Sequence, residues 1–386
     1  MNRRYIKAVP GLDAVRFFAA MLVMFYHLTV YTWAAKSAHS SKVLAARIVS
    51  GDVAFPELFH ITWCGFIGVQ IFFVISGFII AYSAAGAGAL IFLRGRIVRL
   101  FPAAWICATG TIVLLWALHI DVREALWARY VDTITLSPFG PWVDGVYWTL
   151  GIEIVFYALM LGLIAANGFR QLIVLCYVIG GASAAYWLIG ALAFPSFQLV
   201  HLWDRYLQLS LLEHGVYFAL GMLVYCVTLG GRSGGHAAFA ALLLPAAAVE
   251  IHTKALDNNL TFQSAEPDVV PIAIFLLALV AILASLRWRP NEATARRLRM
   301  AGLATYPLYL IHDVFGAAVL KFGVDLGLNR FAALGVAVTL CVGASWFVAA
   351  ALEPMVRRRL GSAFDRVLQV TRMAGRNAVR LVAPAT

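Results

Sequence analysis

Long runs of apolar residues, separated by short polar segments, recur along the whole chain of 386 residues. Windows of about 19 residues predict membrane spans at 12–34, 61–84, 101–120, 146–166, 171–193, 211–230, 236–252, 269–286, 304–323 and 331–353. The seventh run, 236–252, is short and rich in alanine. A helix needs about 20 residues to cross a bilayer, and most of the runs reach that length. The pattern therefore predicts an all-α fold, a polytopic transmembrane bundle of about ten helices.

The basic residues are divided unevenly between the two sides of this predicted bundle. If the N-terminus lies in the cytoplasm, 20 of the 30 Lys and Arg residues fall in cytoplasmic segments and nine fall in the opposite ones. Acidic residues gather in the opposite loops, namely Asp121, Glu124, Asp132, Asp144, Asp257, Glu266 and Asp268. Cytoplasmic loops of membrane proteins carry an excess of Lys and Arg. The asymmetry therefore predicts that both the N- and the C-terminus are cytoplasmic.

Composition agrees with a membrane protein and explains the net charge. Hydrophobic residues make up 62% of the chain and charged residues only 13%, whereas soluble proteins contain about 25% charged residues. The net charge of +11 follows from the loop asymmetry, so we predict no nucleic-acid partner. Five cysteines are scattered singly without CxxC or zinc-ligand spacing. We interpret them as small core residues and predict no metal site.

The spans and the polar tail divide the chain into two predicted regions. Residues 1–356 form a transmembrane domain, whose first apolar run is predicted to be an uncleaved helix. Residues 357–386 form a basic cytoplasmic tail in which arginines are mixed with apolar residues. Such a tail suits either an amphipathic helix lying on membrane lipids or a partly disordered segment, and the sequence leaves both open.

The first span carries ionisable residues where lipid would penalise them. Asp13 and Arg16 lie in its first two turns, and His27 lies deep in its apolar run. Ionisable residues inside membrane spans are rare and mostly functional. Eleven residues make about three helical turns, so Arg16 and His27 project from nearly the same face, roughly 16 Å apart along the axis. The plain alternative is an interfacial arginine and a histidine hydrogen-bonded between helices.

Two more arginines precede the third span, in "FLRGRIVRLFPAAW". Arg96 and Arg99 are three residues apart, so they share a helix face, and the predicted topology puts them at the same membrane surface as Arg16. Guanidinium groups bind phosphate in a bidentate manner. The three arginines therefore predict a phosphate site at the mouth of the bundle, although the positive-inside asymmetry alone also explains them.

Further polar residues fall inside the second, fourth and ninth spans. Glu153, in "DGVYWTLGIEIVFYALM", lies about two turns from the end of its span, at a depth that matches His27. An unpaired glutamate in lipid is costly, so we expect a partner, and a structural contact to an arginine or a hydroxyl is the alternative. Ser76 lies among glycines that permit close helix packing, while "ATYPLYLIHDVF" brings His312 and Asp313 to mid-membrane.

The loops opposite the basic side are rich in aromatic residues. They include Trp127, Tyr130, Trp142, Tyr147, Trp148, Trp203 and Tyr206. Amphipathic rings are typical of the membrane interface, and they also stack on the apolar face of a sugar. Tyr147 and Trp148 are therefore candidates for contact with a sugar, and the sequence does not separate the two roles.

Taken together, these segments resemble the acyltransferase-3 family of bacterial membrane acyltransferases, of the polysaccharide O-acetyltransferase type. The matching stretches are "GLDAVRFFAAMLVMFYH" with its Arg-x10-His spacing, "GVQIFFVISGFII", "FLRGRIVRLFP", "YWTLGIEIVFY", "TYPLYLIH" and "ALEPMVRRRL". They occur in order from Gly11 to about Arg359. The resemblance implies transfer of an acyl group, often acetyl, from a cytosolic thioester to an extracytoplasmic hydroxyl. It also implies that His27 is the catalytic histidine and that Arg16, Arg96 and Arg99 matter for activity.

An acyl-CoA donor is compatible with these residues. Arginines at the cytosolic mouth would hold its phosphates, and His27, about 16 Å deeper, would meet the thioester and act as catalytic base. Glu153 is the candidate for orienting the imidazole, and Asp13, Ser76 and His312 are candidates for supporting contacts. We predict no bound cofactor, with acetyl-CoA as donor substrate. The predicted acceptor is a glycan or a lipid-linked saccharide, and the predicted location is the bacterial cytoplasmic (inner) membrane.

A different class of protein is compatible with the same buried polar residues. A proton-coupled secondary transporter could use His27, Glu153 and His312 as a relay, and a lipid or glycan flippase is a third reading. Such transporters are commonly built from internal repeats, and no repeat is visible in this sequence.

Overall fold

The computed structural model describes residues 9–34, 44–49, 53–120, 123–229 and 236–382. Within these ranges the chain is helical and has no β-strand, so the predicted all-α fold is confirmed. The α-helices are α1 (Pro10–Tyr26), α2 (Thr32–Ala34), α3 (Leu44–Val49), α4 (Pro56–Thr62), α5 (Ile67–Ala84), α6 (Ala89–Ala117), α7 (Arg123–Ile134), α8 (Trp148–Ala165), α9 (Leu172–Ala193), α10 (Pro195–Val200), α11 (Arg205–Leu209), α12 (Gly215–Thr228), α13 (His236–Phe262), α14 (Val269–Arg287), α15 (Glu292–Ile311), α16 (Val314–Asp325), α17 (Arg330–Phe347) and α18 (Glu353–Val382).

Eight helical segments of the described chain are long and apolar enough to cross a membrane. They are Pro10–Ala34, Pro56–Ala84, Ala89–Ala117, Gly145–Ala165, Phe169–Ala193, Ala238–Phe262, Val269–Arg287 and Arg330–Gln369. The pair α15 and α16 supplies a ninth if it is counted as one bent span. The predicted multi-pass membrane bundle is therefore confirmed. The sixth predicted span corresponds to α12, which has only 14 residues.

Three predicted spans differ in detail from the helices. The seventh is predicted at 236–252, but the corresponding helix, α13, extends ten residues further, to Phe262. The ninth, predicted at 304–323, is not one straight helix: α15 and α16 meet at His312 and Asp313 with a bend of 75°. The tenth runs on through a π-helical segment, Val348–Leu352, into the arginine-rich α18.

The break between α15 and α16 has a specific partner elsewhere in the chain. Asp144 lies just before α8, and its Oδ2 accepts a hydrogen bond from the backbone N–H of Val314, at 3.1 Å. Its Oδ1 accepts a second bond from the N–H of Val146, also at 3.1 Å. The first N–H groups of a helix have no partner within the helix, so Asp144 satisfies one of them at the start of α16. Burial raises the pKa of this carboxyl, and nearby Asp313 raises it further.

Close packing between α1 and α5 holds the first predicted site residues in place. A Cβ atom added to Gly65 or to Gly68 would collide with the backbone oxygen of Leu22 or of Ala19, respectively. Glycine is therefore required at both positions for this approach, as the small-residue pattern of the second span predicts. The backbone of α1 thus lies directly against α5, in the interval between Arg16 and His27.

The helix that begins with α1 changes its winding at His27. Residues His27–Tyr31 form a π-helical segment, after which α2 resumes the α-helical pattern. Such one-turn π segments are rare and occur frequently at functional sites. The wider turn starts at the histidine that the sequence singles out.

Candidate active site

Five arginines surround one cavity of about 410 Å³. They come from three helices: Arg16 from α1, Arg94, Arg96 and Arg99 from α6, and Arg357 from α18. We call this space the arginine cavity. The structure brings together the three arginines that the sequence predicts to be neighbours, and it adds Arg94 and Arg357.

The arginines of this cavity differ in how far their charges are already paired. Both oxygens of Asp365 accept hydrogen bonds from Arg94, each at 2.7 Å. Glu353 lies 2.8 Å from Arg357 and 3.7 Å from Arg99. The buried Nε of Arg96, in contrast, has no hydrogen-bond partner within the described part of the chain. Arg96 therefore keeps an unpaired donor in the wall of the cavity.

Aromatic rings hold the guanidinium groups of α6 in position. The guanidinium carbon of Arg96 lies 5.5 Å from the ring centroid of Phe92 and 5.6 Å from that of Tyr157. The guanidinium carbon of Arg99 lies 5.2 Å from the ring centroid of Tyr306. Cation–π contacts at such distances are attractive.

Glu153 lies in the wall of the arginine cavity together with Ser76. The hydroxyl of Ser76 donates a hydrogen bond to Oε1 of Glu153, at 2.7 Å. This is the glutamate–hydroxyl contact that the sequence leaves open as the structural alternative. Glu153 does not pair with His27 as expected. The carboxylate beside His27 is that of Asp313, whose Oδ1 lies 3.5 Å from Nδ1 of His27.

A smaller cavity of about 70 Å³ continues from the arginine cavity. We call it the narrow passage. It shares Arg16, Phe72, Ser76, Glu153 and Tyr306 with the arginine cavity, and it shares Val69 with a third cavity. The third cavity, of about 190 Å³, is lined by His27 and Asp313, and we call it the histidine cavity.

The order of residues along α5 shows how the three spaces are arranged. Val69 borders the histidine cavity and the narrow passage, Ser76 borders the narrow passage and the arginine cavity, and Ile80 borders the arginine cavity. At a rise of 1.5 Å per residue, the eleven residues from Val69 to Ile80 span roughly 16 Å. The spaces therefore follow one another along the helix axis. They lie in series between the arginines and His27.

His27 and His312 form a hydrogen-bonded pair at the break between α15 and α16. Nδ1 of His27 lies 3.0 Å from Nε2 of His312. Nδ1 of His312 lies 2.9 Å from the carbonyl oxygen of Tyr309 and 3.2 Å from that of Leu308. A carbonyl only accepts, so Nδ1 of His312 carries the proton and, in the neutral ring, its Nε2 accepts.

This arrangement assigns the proton of a neutral His27 as well. Because Nε2 of His312 is an acceptor, Nδ1 of His27 must be the donor, and Nε2 of His27 is then unprotonated. His312 is fully buried, with an exposed fraction of 0%. The second histidine thus fixes the tautomer in which His27 offers a basic nitrogen.

The remaining predicted residues lie in three different surroundings. Asp13 packs against Gly302, where an added Cβ would collide with the carboxylate of Asp13. Tyr147 is buried in the core, and its hydroxyl donates to the carbonyl oxygen of Ala104 at 3.2 Å. Trp148 lines the histidine cavity. Of the two aromatic candidates for an acceptor contact, the structure therefore places Trp148 beside the site and Tyr147 in interhelical packing.

The histidine cavity also contains residues that are not among the site residues predicted from the sequence. Lys254, Asp257 and Asn258 line it from α13, and Trp203 lines it from the turn before α11. The three residues of α13 have the i, i+3, i+4 spacing of one helix face, which is a signal present in the sequence. It was hidden because the predicted span ended at 252, two residues before Lys254.

Comparison with known proteins agrees with the motifs. Residues 9–350 match the acyltransferase-3 family model, which is described as "Acyltransferase domain". A 168-residue match, 38% of the chain, is 31% identical to Nodulation protein 10 of Rhizobium leguminosarum bv. viciae and covers 41% of that protein. A 141-residue match, 35% of the chain, is 34% identical to a protein of Bacillus subtilis (strain 168) named as a peptidoglycan O-acetyltransferase, YrhL, and covers 17% of it. The matches thus span less than half of each relative's length. No solved structure matches the chain.

Proposed function

Because the chain belongs to the acyltransferase-3 family, we propose that it is a membrane O-acyltransferase that moves an acyl group, most simply acetyl, from acyl-CoA to a hydroxyl of a glycan or lipid-linked saccharide. The observation that carries this proposal is the series of three cavities that lies between five arginines and His27. A polyanionic donor with a long arm fits a site that is basic at one end and holds a base at the other.

The arginine cavity is the proposed site for the phosphates of CoA. Arginine forms charge-assisted, bidentate hydrogen bonds with phosphate oxygens. Arg96 has an unpartnered Nε, and Arg16 and Arg99 lie in the same wall. The long, flexible pantetheine arm would then enter the narrow passage and carry the thioester towards His27.

At the far end, His27 is the proposed general base. Its Nε2 takes the proton of the acceptor hydroxyl as the oxygen attacks the thioester carbonyl carbon. The tetrahedral intermediate collapses by breaking the carbon–sulfur bond. The CoA thiolate that leaves is then protonated by the imidazolium of His27. The positive charge on His27 during this step is compensated by Asp313, whose Oδ1 is 3.5 Å away.

The charge asymmetry of the loops supports an orientation with both termini in the cytoplasm, and the bacterial cytoplasmic membrane as the location. The arginine cavity would then open towards cytosolic acyl-CoA, and the histidine cavity towards an extracytoplasmic acceptor. The basic tail, whose residues 357–382 lie in α18, would rest on anionic lipids of the inner leaflet.

The test uses the full-length protein in lipid nanodiscs with acetyl-CoA labelled in the acetyl group. We expect release of CoA and transfer of label to saccharides extracted from the membranes of the source cells, and loss of both in His27→Ala. A protein that binds no acetyl-CoA and releases no CoA above the His27→Ala level would refute the proposal. In sealed vesicles, we expect transfer only when acetyl-CoA is supplied on the side of the arginine cavity.

A further inference from the structure

The histidine cavity has a wall that the proposed reaction does not yet use. We propose that Trp203, Lys254, Asp257 and Asn258 form the subsite that binds the acceptor, and that this subsite takes an uncharged sugar unit rather than an acidic one. The inference rests on the proposed function, since it assumes that the hydroxyl to be acylated enters the cavity that contains His27.

Helix α13 places its three polar residues on one face. Lys254, Asp257 and Asn258 stand at i, i+3 and i+4 and line the same cavity as His27. The cavity is polar on this side because the apolar first part of α13 is followed by polar residues in the second part of the helix. Polar groups that converge on a cavity beside a base are typical of a substrate site.

Two indole rings complete the wall and fix its charged groups. Trp148 and Trp203 meet edge to face, with ring centroids 6.2 Å apart. Nζ of Lys254 lies 5.4 Å from the ring centroid of Trp148 and 5.2 Å from that of Trp203. Nε1 of Trp203 donates to Oδ2 of Asp257 at 3.0 Å. Asp257 is thereby held in one orientation and keeps Oδ1 for a ligand hydroxyl. The aromatic surface suits the apolar face of a sugar ring.

Asn258 supplies an independent indication of a ligand. Its side chain is 7% exposed, and its Oδ1 accepts a hydrogen bond from the hydroxyl of Tyr26 at 3.1 Å. Its buried Nδ2 has no hydrogen-bond partner among the described residues. Buried amide groups are nearly always hydrogen-bonded, so an unpartnered donor in a cavity wall indicates a missing acceptor oxygen. A sugar hydroxyl provides one.

The charges of the cavity decide which sugar fits. Asp257 and Asp313 contribute two carboxylates, and Lys254 contributes one ammonium group. That ammonium group already lies 3.6 Å from Glu250, which is fully buried behind it. An acceptor with its own carboxylate would therefore meet net repulsion, whereas a neutral sugar can donate to Asp257 and accept from Asn258.

The test compares neutral and acidic acceptors in the same nanodisc assay. The probes are the methyl glycosides of glucose, galactose and mannose, and the methyl glycosides of glucuronic and galacturonic acid. We expect label on at least one neutral glycoside, with kcat/KM at least about tenfold above that of any uronide. CoA release without any labelled glycoside, or a preference for a uronide, would overturn the subsite but not the acyltransferase. Absence of CoA release would refute the proposed function itself.

Variants of the wall separate binding of the acceptor from binding of the donor. Asp257→Asn keeps the shape of the side chain and should raise KM for the neutral glycoside about tenfold, reduce the discrimination against uronides, and affect KM for acetyl-CoA far less. Trp203→Phe keeps a ring but removes the bond to Asp257, so it should shift acceptor KM in the same direction. Asp325→Asn, on the exposed side of α16, is the matched control. Equal acceptor KM values in wild type, Asp257→Asn and Trp203→Phe would contradict the proposal.

Discussion

The imidazole rings of His27 and His312 lie nearly parallel, at 28°, with centroids 4.9 Å apart and a hydrogen bond of 3.0 Å between them. Because Nδ1 of His312 donates to carbonyl oxygens of α15, the other nitrogen of the neutral ring accepts. The reactive nitrogen of His27 is therefore specified by a residue 285 positions away along the chain.

Replacement of His27 by alanine should reduce acyl transfer by about 10²- to 10⁴-fold, the usual contribution of a general base. The measurement is the initial rate of label transfer by purified protein in nanodiscs. Size-exclusion profile and thermal stability should match those of wild type. Wild-type turnover by this variant would show that His27 is not the base.

His312→Ala should lower kcat less than His27→Ala does, by about tenfold, because His27 keeps its ring but loses the bond that selects its tautomer. His312→Gln should recover part of the loss, since a glutamine amide can both donate to a carbonyl and accept from His27. His236→Ala, at a histidine that contacts Tyr177 and lines none of the three cavities, is the control. Equal losses in the alanine and glutamine variants would exclude the tautomer role.

Asp313→Asn should lower kcat about 10- to 100-fold and leave a folded protein, since it removes the charge beside His27 without a change of shape. The buried Oδ1 of Asp313 has no hydrogen-bond partner in the described chain, so the substitution breaks no bond at this atom. We would read the effect from kcat at saturating acetyl-CoA and acceptor. A loss confined to KM would assign Asp313 to binding.

Arg96→Ala should raise KM for acetyl-CoA roughly 10- to 100-fold, because a phosphate contact from a charged donor contributes about 1.5–3 kcal/mol. Arg96→Lys should fall between, since it keeps the charge but not the planar fork. We expect the same order at Arg99, and a smaller effect in Arg94→Ala because Asp365 already accepts two bonds from Arg94. A raised acceptor KM with unchanged donor KM would refute the donor site.

The proposed orientation can be tested across a single helix, α14. Ala265 and Ala293 are both exposed, and they lie just before and just after this helix. With the five buried native cysteines replaced, Ala265→Cys should react with an impermeant thiol reagent added to intact cells. Ala293→Cys should react only after the membrane is opened. Labelling of both from outside would mean that α14 does not span, and the reverse result would invert the donor site.

The sequence predicts the neighbours along the membrane normal better than those across the bundle. Hydropathy and loop charge give the depth of a residue, so Arg16, Arg96 and Arg99 are correctly expected at one level, and they line one cavity. Depth does not give the direction in which a side chain projects. Glu153 therefore matches His27 in expected depth. Its carboxylate nevertheless accepts a hydrogen bond from Ser76, and both residues line the narrow passage, which His27 does not.

Two features of the site have no simple hydropathy signal. The break at His312 and Asp313 falls inside an apolar run, and it depends on a hydrogen bond from the N–H of Val314 to Asp144, which lies 170 residues away in the chain. The seventh predicted span ends at residue 252. Lys254, Asp257 and Asn258 follow it, so the hydropathy pattern assigns them to a loop. They belong to α13 because the helix continues to Phe262.

The narrow passage also affects whether the membrane can maintain its proton and ion gradients. A series of cavities along a membrane-spanning bundle risks conducting protons and ions down the transmembrane gradient. Arg16 lines the passage at its junction with the arginine cavity, and a fixed positive charge in a constriction opposes the entry of protons and metal cations. The side chain that is proposed to attract an anionic donor would thus also oppose leakage of protons and cations through the protein between turnovers.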